Sequence, residues 1–402
     1  VAGDLNGGYT FWQVNTNKLM PTQFSNAAKT PVRVLASSRY SLGGQGDSYY
    51  EYLLKQFLQD GTDLWSLQVW KKMLGAILDE ETGLVTRKNE KQNYYIVERE
   101  ILNNTIVNNQ MAHLACFFPG LLALHLEYVK DVGNGADVDG DAPAGAGEKS
   151  FSSGRTTKAS KVYRDREFLH TIKESTMQNC FDFYRLSPTG LAPEAIVLPL
   201  SEGVEEEEEE ASRLLIPPGL GYSLLRPETV ESLYYLDYFE MRKIENERDG
   251  ASRTSEAHQA EPDEAALLLP EDSATARARQ RKELHPLRFK QMGHFIWEAL
   301  REQAFLPGLG FCTVPDVTQF PNVARSCPMH TFVLGETLVY LYMLFRDHST
   351  GPLLNLNEWV FNTEAHPLPR MEAEDARWED ARSADRSSSV DRTQPRRDRE
   401  EL

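Results

Sequence analysis

Dense apolar blocks with helical spacing recur along this chain, and segments of low complexity separate them. The predicted helices cover 48–60, 64–78, 111–129, 163–184, 228–244, 286–303 and 331–347. Alternation of helix and loop is the only periodicity, and no internal repeat is exact. This pattern predicts an all-α fold, either a closed toroid or a solenoid.

Three inserts interrupt the helical pattern and a charged tail follows it. The inserts lie near 133–160, 201–213 and 246–284, and the tail covers 371–402. All are rich in Gly, Ala, Ser, Glu or Arg and cannot bury enough apolar surface to order themselves. We therefore predict one domain over 1–370 with disordered inserts. Because the first residue is Val1 and the sequence opens within a pattern, we expect a truncated piece of a longer chain, with any signal or membrane anchor upstream.

The net charge of −17 argues against a nucleic-acid partner, which would require a basic face. No apolar run approaches the length of a membrane span. Four cysteines occur without C-x-x-C spacing, so a zinc site is not indicated. The even count permits two disulfides without defining them, and Cys116 suits either a core thiol or half of a bridge. A sequon at Asn103 points to a secretory setting.

The segment 41–56, S-L-G-G-Q-G-D-S-Y-Y-E-Y-L-L-K-Q, runs from a glycine-rich turn into an aromatic helix. Asp47 and Glu51 are four residues apart, so they share a face and repel each other. A purely structural helix would gain from replacing one of them. Keeping both beside three tyrosines suggests a polar pocket that needs negative charge, suited to a sugar or a hard cation.

Two further blocks carry carboxylates in apolar surroundings. The helix over 331–345 is apolar nearly all round and should be buried, yet it contains Glu336. A buried carboxylate costs several kcal/mol unless a cation, a basic residue or water compensates it, and a structural ion pair is an equally weighted alternative. In L-L-R-P-E-T-V-E, Pro227 suits the first helical position, and Glu228 follows where negative charge is favoured. Glu228 merely stabilises the helix end in the simpler interpretation, but capping does not explain Glu231.

Two more polar groups lie at apolar ends. Thr363 offers a carbonyl and a hydroxyl, both hard oxygen ligands that suit calcium, with Glu364 and His366 nearby. An ordinary strand or loop terminus is the favoured interpretation of this block by itself. His113, in an apolar helical block, is most simply a core or interface histidine.

Taken together, these blocks resemble glycoside hydrolase family 47, the class I α-1,2-mannosidases of the secretory pathway. Six motifs occur in the family's order over nearly all of 1–370. They are G-D-S-Y-Y-E-Y-L-L-K at 46–55, H-L-A-C-F-F-P-G at 113–120, T-G-L-A-P-E at 189–194, L-R-P-E-T-V-E-S at 225–232, F-V-L-G-E-T-L at 332–338 and F-N-T-E-A-H-P at 361–367.

The resemblance implies an (α/α)7 barrel, incomplete at the N-terminus, with a C-terminal hairpin that plugs one end. It implies Ca²⁺-dependent, inverting hydrolysis of terminal α-1,2-linked mannose on high-mannose N-glycans. The expected location is the lumen of the endoplasmic reticulum or Golgi, with a membrane contact only through an upstream anchor.

The resemblance also assigns residues. Thr363 would hold Ca²⁺, and Phe332 would stack on the mannose ring. Arg226 would balance the carboxylates, and Gln45 and His113 would belong to the substrate-binding surface. The acidic pocket would be lined by Asp47, Glu228, Glu231, Glu336 and Glu364. Cys116 and Cys180 match the family's disulfide pair. An inverting glycosidase needs two carboxyl groups separated by about 6.5–9.5 Å; Glu228 is the leading candidate for the general base and Asp47 the second.

The chain departs from the family at three places. The family's further glutamate, usually taken as the general acid in an L-x-L-E-F-like motif, has no match in the forty residues before the first block, so we expect this chain to be inactive by itself. Gln45 stands where Arg or Leu is common, which leaves the preferred mannose branch open. The inserts at 133–160 and 246–284 are unusually long for the family. Cys312 and Cys327 also have no family counterpart and are either a private disulfide or two free thiols.

Two alternatives to a processing enzyme remain. One is a degradation-linked mannosidase-like protein that recognises misfolded glycoproteins. The other is a non-catalytic glycan-binding protein of the endoplasmic reticulum, which the absence of the acid would favour.

Overall fold

The structure, a computed structural model, describes most of the predicted helical blocks. The described residues are 39–44, 46–87, 93–100, 105–107, 109–129, 165–198, 215–255, 288–327, 329–346 and 351–371. Within them are the α-helices α1 (Asp47–Gln59), α2 (Leu64–Ile77), α3 (Phe118–Tyr128), α4 (Arg166–Arg185), α5 (Glu228–Ser255), α6 (Arg288–Ala299) and α7 (Leu338–Phe345). The strands are β1 (Arg39–Tyr40), β2 (Val85–Arg87), β3 (Tyr94–Ile96), β4 (Arg99–Glu100), β5 (Gln110–Ala112), β6 (Ala195–Val197), β7 (Phe305–Leu306), β8 (Gly310–Phe311), β9 (Trp359–Phe361) and β10 (Pro367–Pro369). The strands are short and form antiparallel pairs, so the prediction of an all-α fold is confirmed.

The helices pack around one apolar core. Helix α3 packs against α4 and α5, α1 packs against α2, and α5 also contacts α6 and α7. Aspartates begin two of these helices: Asp63 accepts a hydrogen bond from the Ser66 backbone N–H and Asp165 from that of Phe168, as expected of N-cap residues. None of the helices in the described part of the chain is long and apolar enough to cross a membrane.

The predicted helix over 111–129 is wrong in its first part. Gln110–Ala112 is strand β5, which pairs with β6, and His113–Phe117 is a 3₁₀ turn before α3. Pro119 explains the late start of the α-helix, because a proline has no N–H to donate and its ring clashes with the carbonyl four residues earlier. This break places His113 and Cys116 in a tight turn.

Other boundaries also differ from the prediction. Helix α5 continues past Ile244 to Ser255, into the segment predicted as the third insert, so the first part of that insert is helical. The first two predicted inserts, the rest of the third and the tail beyond Met371 lie outside the described residues. The domain limits therefore stay a prediction.

Strands β9 and β10 form the predicted C-terminal hairpin, which packs into the helical core. Val360 and Phe361 of β9 are buried, and the Phe361 ring meets the rings of Tyr340 and Tyr234 at centroid distances of 5.8 Å and 6.0 Å. The hairpin also contacts α1. Its turn, 362–366, is thereby held beside the first helix, although the two are about 300 residues apart in sequence.

Two disulfides join the described cysteines. Cys116 in the 3₁₀ turn is bonded to Cys180 in α4, with 5.7 Å between their Cα atoms, which is the pair that the resemblance implied. Cys312 is bonded to Cys327, so the structure favours the private disulfide over two free thiols.

Candidate active site

Carboxylates from three helical segments meet the turn of the C-terminal hairpin. Helix α1 contributes Glu51, the start of α5 contributes Glu228 and Glu231, and the helical segment before α7 contributes Glu336. Thr363 lies in the hairpin turn. The sequence motifs that were predicted to share one pocket therefore converge in the fold.

Lys55 lies at the base of this cluster and was missed by the sequence analysis. Its ammonium donates to Glu51 and, at 3.1 Å, to Glu231 Oε1, and all three side chains are almost fully buried. Tyr340 also donates to Glu231, over 3.2 Å. Burial disfavours the charged lysine, but the charges of Glu231 and Glu51 outweigh it and hold the pKa of Lys55 well above its usual value. Burial raises the pKa of Glu51 to about 8.

The interpretation of Asp47 and Glu51 as an uncompensated repelling pair is therefore wrong. Glu51 is ion-paired with Lys55 in the next turn of the same helix, a spacing that the sequence E-Y-L-L-K already displayed. Asp47 is the first residue of α1, is half-buried and accepts the Ser48 backbone N–H at 2.8 Å. Gln45 lies outside the described residues.

Glu228 is the first residue of α5, and its carboxylate faces His113. Pro227 precedes the helix and accepts the Glu231 N–H through its carbonyl at 2.8 Å, so it is the N-cap residue and not the first helical residue as predicted. His113 Nδ1 and Glu228 Oε2 are 3.2 Å apart. Their geometry is not that of a hydrogen bond, and the described residues supply no other partner for either atom.

Burial shifts the pKa values of Glu228 and His113 in opposite directions. Burial raises the pKa of Glu228 to about 8 and lowers the pKa of His113 to about 4. His113 is held by its other nitrogen, which contacts Tyr184 Oη at 2.9 Å and Thr229 Oγ1 at 3.0 Å. The prediction of a satisfied core histidine is thus correct for Nε2, while Nδ1 is turned toward Glu228.

Arg226 does not pair with the carboxylates of α5. Its Nε donates to Glu194 at 2.7 Å, and its guanidinium lies 5.7 Å from the centroid of the Phe332 ring. Glu194, the last residue of the motif T-G-L-A-P-E, is the counter-ion of Arg226, a role that the sequence did not predict. One face of Phe332 is stacked on His330, with parallel rings 5.1 Å apart. A sugar that contacts Phe332 would therefore meet a surface already built from three side chains.

Backbone strain precedes Arg226. Leu225 has φ of +62°, a conformation that costs a residue with a Cβ roughly 1–3 kcal/mol. Thr337 donates to the Leu225 carbonyl at 2.8 Å and so ties the strained residue to the segment that carries Glu336. The strain directs the chain into α5 with Arg226 aimed at Glu194.

Glu336 lies in a π-helical turn, Val333–Thr337, and not in an apolar helix buried all round as predicted. One side of this segment is buried, but Leu334 and Tyr342 are 54% and 63% exposed, so the helix is apolar without being enclosed by the described residues. Glu336 is half-buried and has no ion pair among the described residues, so the structural ion pair that the sequence left open is not formed there. Burial and the charges of Glu228, Glu231 and Glu364 raise the pKa of Glu336 to about 8.

Thr363 occupies the exposed end of the pocket. Its hydroxyl contacts the Tyr52 hydroxyl at 3.2 Å. Glu364 and His366 are both 68% exposed and 3.9 Å apart, so they lie at the rim. Among the described residues, no three His, Cys, Asp or Glu side chains are arranged to enclose a metal ion.

The raised pKa values predict a pH dependence of stability in the presence of a chelator. A glutamate whose folded pKa exceeds its unfolded value of 4.5 stabilises the fold at low pH, and this contribution is lost as pH rises through about 8. His113 acts oppositely, but its contribution is complete above its unfolded value of 6.5. The melting temperature should therefore fall between about pH 6.5 and about pH 8.5. The fall should be shallower in a Glu228→Gln/Glu336→Gln variant; an equal slope would contradict these pKa values.

The fold and the site together define a class of protein. A helical fold that gathers several carboxylates beside one hairpin turn suits the hydrolysis of glycosidic bonds, which uses a pair of Asp or Glu side chains. The chain belongs to glycosyl hydrolase family 47, whose sequence profile matches residues 9–240 and 285–370.

Curated relatives and a solved structure agree with this membership. The chain is 30% identical over 338 residues to mannosyl-oligosaccharide 1,2-alpha-mannosidase MNS3 of Arabidopsis thaliana, a match that covers 82% of the chain and 43% of that protein. It is 27% identical over 331 residues to the endoplasmic reticulum mannosyl-oligosaccharide 1,2-alpha-mannosidase of Homo sapiens, covering 82% of the chain and 34% of that protein. The chain thus spans less than half the length of these relatives.

The structural comparison supports the fold. The structure resembles the alpha-1,2-mannosidase from Trichoderma reesei with a TM-score of 0.52 and 18% sequence identity, covering 83% of this chain and 53% of that one. The fold is that of the (α/α)7 barrel of this family, as the resemblance predicted. That the barrel is incomplete at the N-terminus stays a prediction.

Proposed function

We propose that this chain carries the calcium- and mannose-binding region of an inverting α-1,2-mannosidase that trims terminal α-1,2-linked mannose from high-mannose N-glycans. The observation that carries the proposal is the excess of carboxylates around Glu336. Burial raises the pKa of Glu336 most, the charges of Glu228, Glu231 and Glu364 raise it further, and the opposing effect of Lys55 is smaller. A pocket with this surplus of negative charge is suited to a divalent cation.

The donor set fits calcium. Thr363 offers a hydroxyl and a carbonyl at the end of the pocket, and Ca²⁺ accepts such hard oxygen ligands together with waters. Glu364 is near enough to Glu336 for its charge to raise the pKa of Glu336, so we expect both carboxylates to contact such waters. When bound, the ion supplies positive charge that orients sugar hydroxyls and lowers the pKa of nearby carboxyl groups.

Glu228 is the proposed general base. Its buried Oε2 has no hydrogen-bond partner among the described residues and so is free to accept a proton from a water. His113, neutral because of burial, limits the positions that the carboxylate can take. Asp47, half-buried at the start of α1, is the second candidate. Arg226 and Phe332 would bind the sugar from the opposite wall, with Glu194 fixing the guanidinium.

The substrate and location rest on the relatives and on the disulfides. The relatives are named for action on mannosyl-oligosaccharides, and the human, mouse and rat proteins for the endoplasmic reticulum. Two disulfides suit an oxidising lumen. We therefore propose glycoproteins of the secretory pathway as the partners.

The test is release of mannose from a high-mannose glycan, assayed for the full translation product of the gene and for the 402-residue chain in parallel. Release that a chelator abolishes and Ca²⁺ restores would support the proposal. Glycan binding by the full product without release would instead identify a glycan-binding protein and refute the enzyme.

Thr363→Ala should weaken Ca²⁺ binding, because the variant loses the hydroxyl ligand while it keeps the carbonyl. We expect the rise in melting temperature on adding Ca²⁺ to become smaller than in the wild type. Thr171→Ala is the matched control, since its hydroxyl contacts only a carbonyl of its own helix α4. An equal calcium shift in wild type and Thr363→Ala would show that the ion binds elsewhere.

A further inference from the structure

Lys55 uses all three donors of its ammonium inside the protein. One goes to Glu51, one to Glu231 Oε1 at 3.1 Å and one to the backbone carbonyl of Asn362 at 3.1 Å. A lysine ammonium has three N–H groups and no acceptor, so these contacts exhaust its capacity. The side chain is 3% exposed, so water is not a competing partner.

The third contact reaches the backbone beside Thr363. Asn362 also organises the hairpin turn, because its side-chain Oδ1 accepts the backbone N–H groups of Glu364 and His366, each at 2.9 Å. Fixing the carbonyl of Asn362 therefore fixes the position of the whole turn relative to α1. Within the turn, Thr363 also contacts Tyr52 of α1, but this contact is exposed to solvent and so weaker. The far end of the hairpin is held to α1 by Arg370 and Met371, which donate to the carbonyls of Leu58 and Gln59 at 2.8 Å and 2.7 Å.

The second contact reaches the opposite side of the pocket. Glu231 lies in the first turn of α5, three residues after Glu228 and on the same face. A single ammonium thus joins the helix that carries the proposed base to the turn that carries the proposed calcium ligand. Its pairing with Glu51, one turn earlier in α1, fixes the orientation of the Lys55 side chain.

We propose that Lys55 is a positioning residue, which sets the distance between the Thr363 turn and the carboxylates of α5 and so determines how tightly Ca²⁺ is bound. This inference rests on the proposed function. It differs from a purely compensating role, in which Lys55 would only balance two buried negative charges. The two roles predict different calcium affinities for a variant in which a buried carboxylate is removed together with Lys55.

The experiment compares Lys55→Met with Lys55→Met/Glu51→Gln. The single variant leaves Glu51 and Glu231 buried without the ammonium, whereas the double variant also removes the carboxyl group of Glu51. Lys290→Met is the control: it removes a lysine that donates to the Arg346 carbonyl at 2.9 Å, at the opposite end of α7 from Glu336. Calcium affinity is measured by calorimetry on chelator-treated protein, and stability by thermal unfolding.

We expect the double variant to recover most of the stability that the single variant loses. Its calcium affinity should nevertheless stay about 10–100-fold weaker than that of the wild type, the range for outer residues that orient metal ligands. The control should match the wild type in both measurements.

Wild-type affinity in the double variant would overturn the positioning role and leave charge compensation. If the double variant unfolds, the single variant is measured at a temperature where it is folded. Loss of the positive charge by itself would strengthen Ca²⁺ binding, so weaker binding supports the positioning role and equal or tighter binding overturns it. Failure of the wild-type protein to bind Ca²⁺ at all would instead refute the proposed function, so the two failures are distinguishable.

Discussion

Replacing Glu228 with glutamine should lower kcat of the full translation product by about 10²- to 10⁴-fold, the usual contribution of a general base. The variant keeps the shape of the side chain but cannot accept a proton from water. Because the change removes a buried carboxylate whose pKa is raised to about 8, the fold should not be destabilised at neutral or alkaline pH. Initial rates on a high-mannose glycan and thermal unfolding check the two halves of this expectation.

The control for Glu228→Gln lies on the same helix. Glu245 is exposed, so Glu245→Gln removes a carboxylate without touching the pocket and should leave kcat unchanged. An Asp47→Asn variant discriminates the second candidate for the base. If Asp47→Asn abolishes turnover while Glu228→Gln retains it, Asp47 is the general base and Glu228 is not.

Removing the Cys116–Cys180 disulfide should cause a large loss of stability, and a larger one than removing Cys312–Cys327. The first closes a loop with a sequence separation of 64 and the second one of 15. Loop-closure entropy then predicts losses of about 4 and about 3 kcal/mol. Cys116 and Cys180 are also fully buried, so the first substitution disturbs packing between the 3₁₀ turn and α4.

The comparison requires both cysteines of a pair to be replaced by alanine, so that no free thiol remains. The free energy of unfolding is measured by denaturant titration for each double variant and for the wild type. An equal or smaller loss for the Cys116/Cys180 pair would contradict the entropic argument. A parallel loss of calcium binding is expected for this pair because His113 belongs to the same turn.

The sequence could predict which motifs share the site but not how their charges are balanced. Helical spacing located the main helices, and the order of the motifs indicated the barrel. The segment around Pro119 shows what hydrophobic periodicity cannot predict. The residues on both sides of Pro119 are apolar, so the pattern gave no sign of the strand and the 3₁₀ turn that precede α3. A proline two positions into a helix is compatible with either interpretation until the pairing of β5 is known.

Charge partners were harder to predict because they depend on tertiary contacts. Lys55 pairs with Glu51 at a helical spacing visible in the sequence, but its contacts with Glu231 and Asn362 join distant segments. Glu194 likewise reaches Arg226 from a loop. Glu336 was recognised as an unusual carboxylate, but its π-helical turn and the exposed side of its helix depend on packing that periodicity does not encode.

The contacts of Lys55 also bear on how the protein is made. Its partners Glu231 and Asn362 are 176 and 307 residues away along the chain, so the ammonium is fully paired only when the last hairpin has docked. Contacts between residues so far apart in the sequence form only when a long loop closes, and this entropic cost slows folding. A nascent chain that has not yet emerged as far as this hairpin holds an incompletely paired lysine. The buried charge cluster is therefore assembled by the same event that docks the C-terminal hairpin, so the proposed calcium site would form only after synthesis has reached this hairpin.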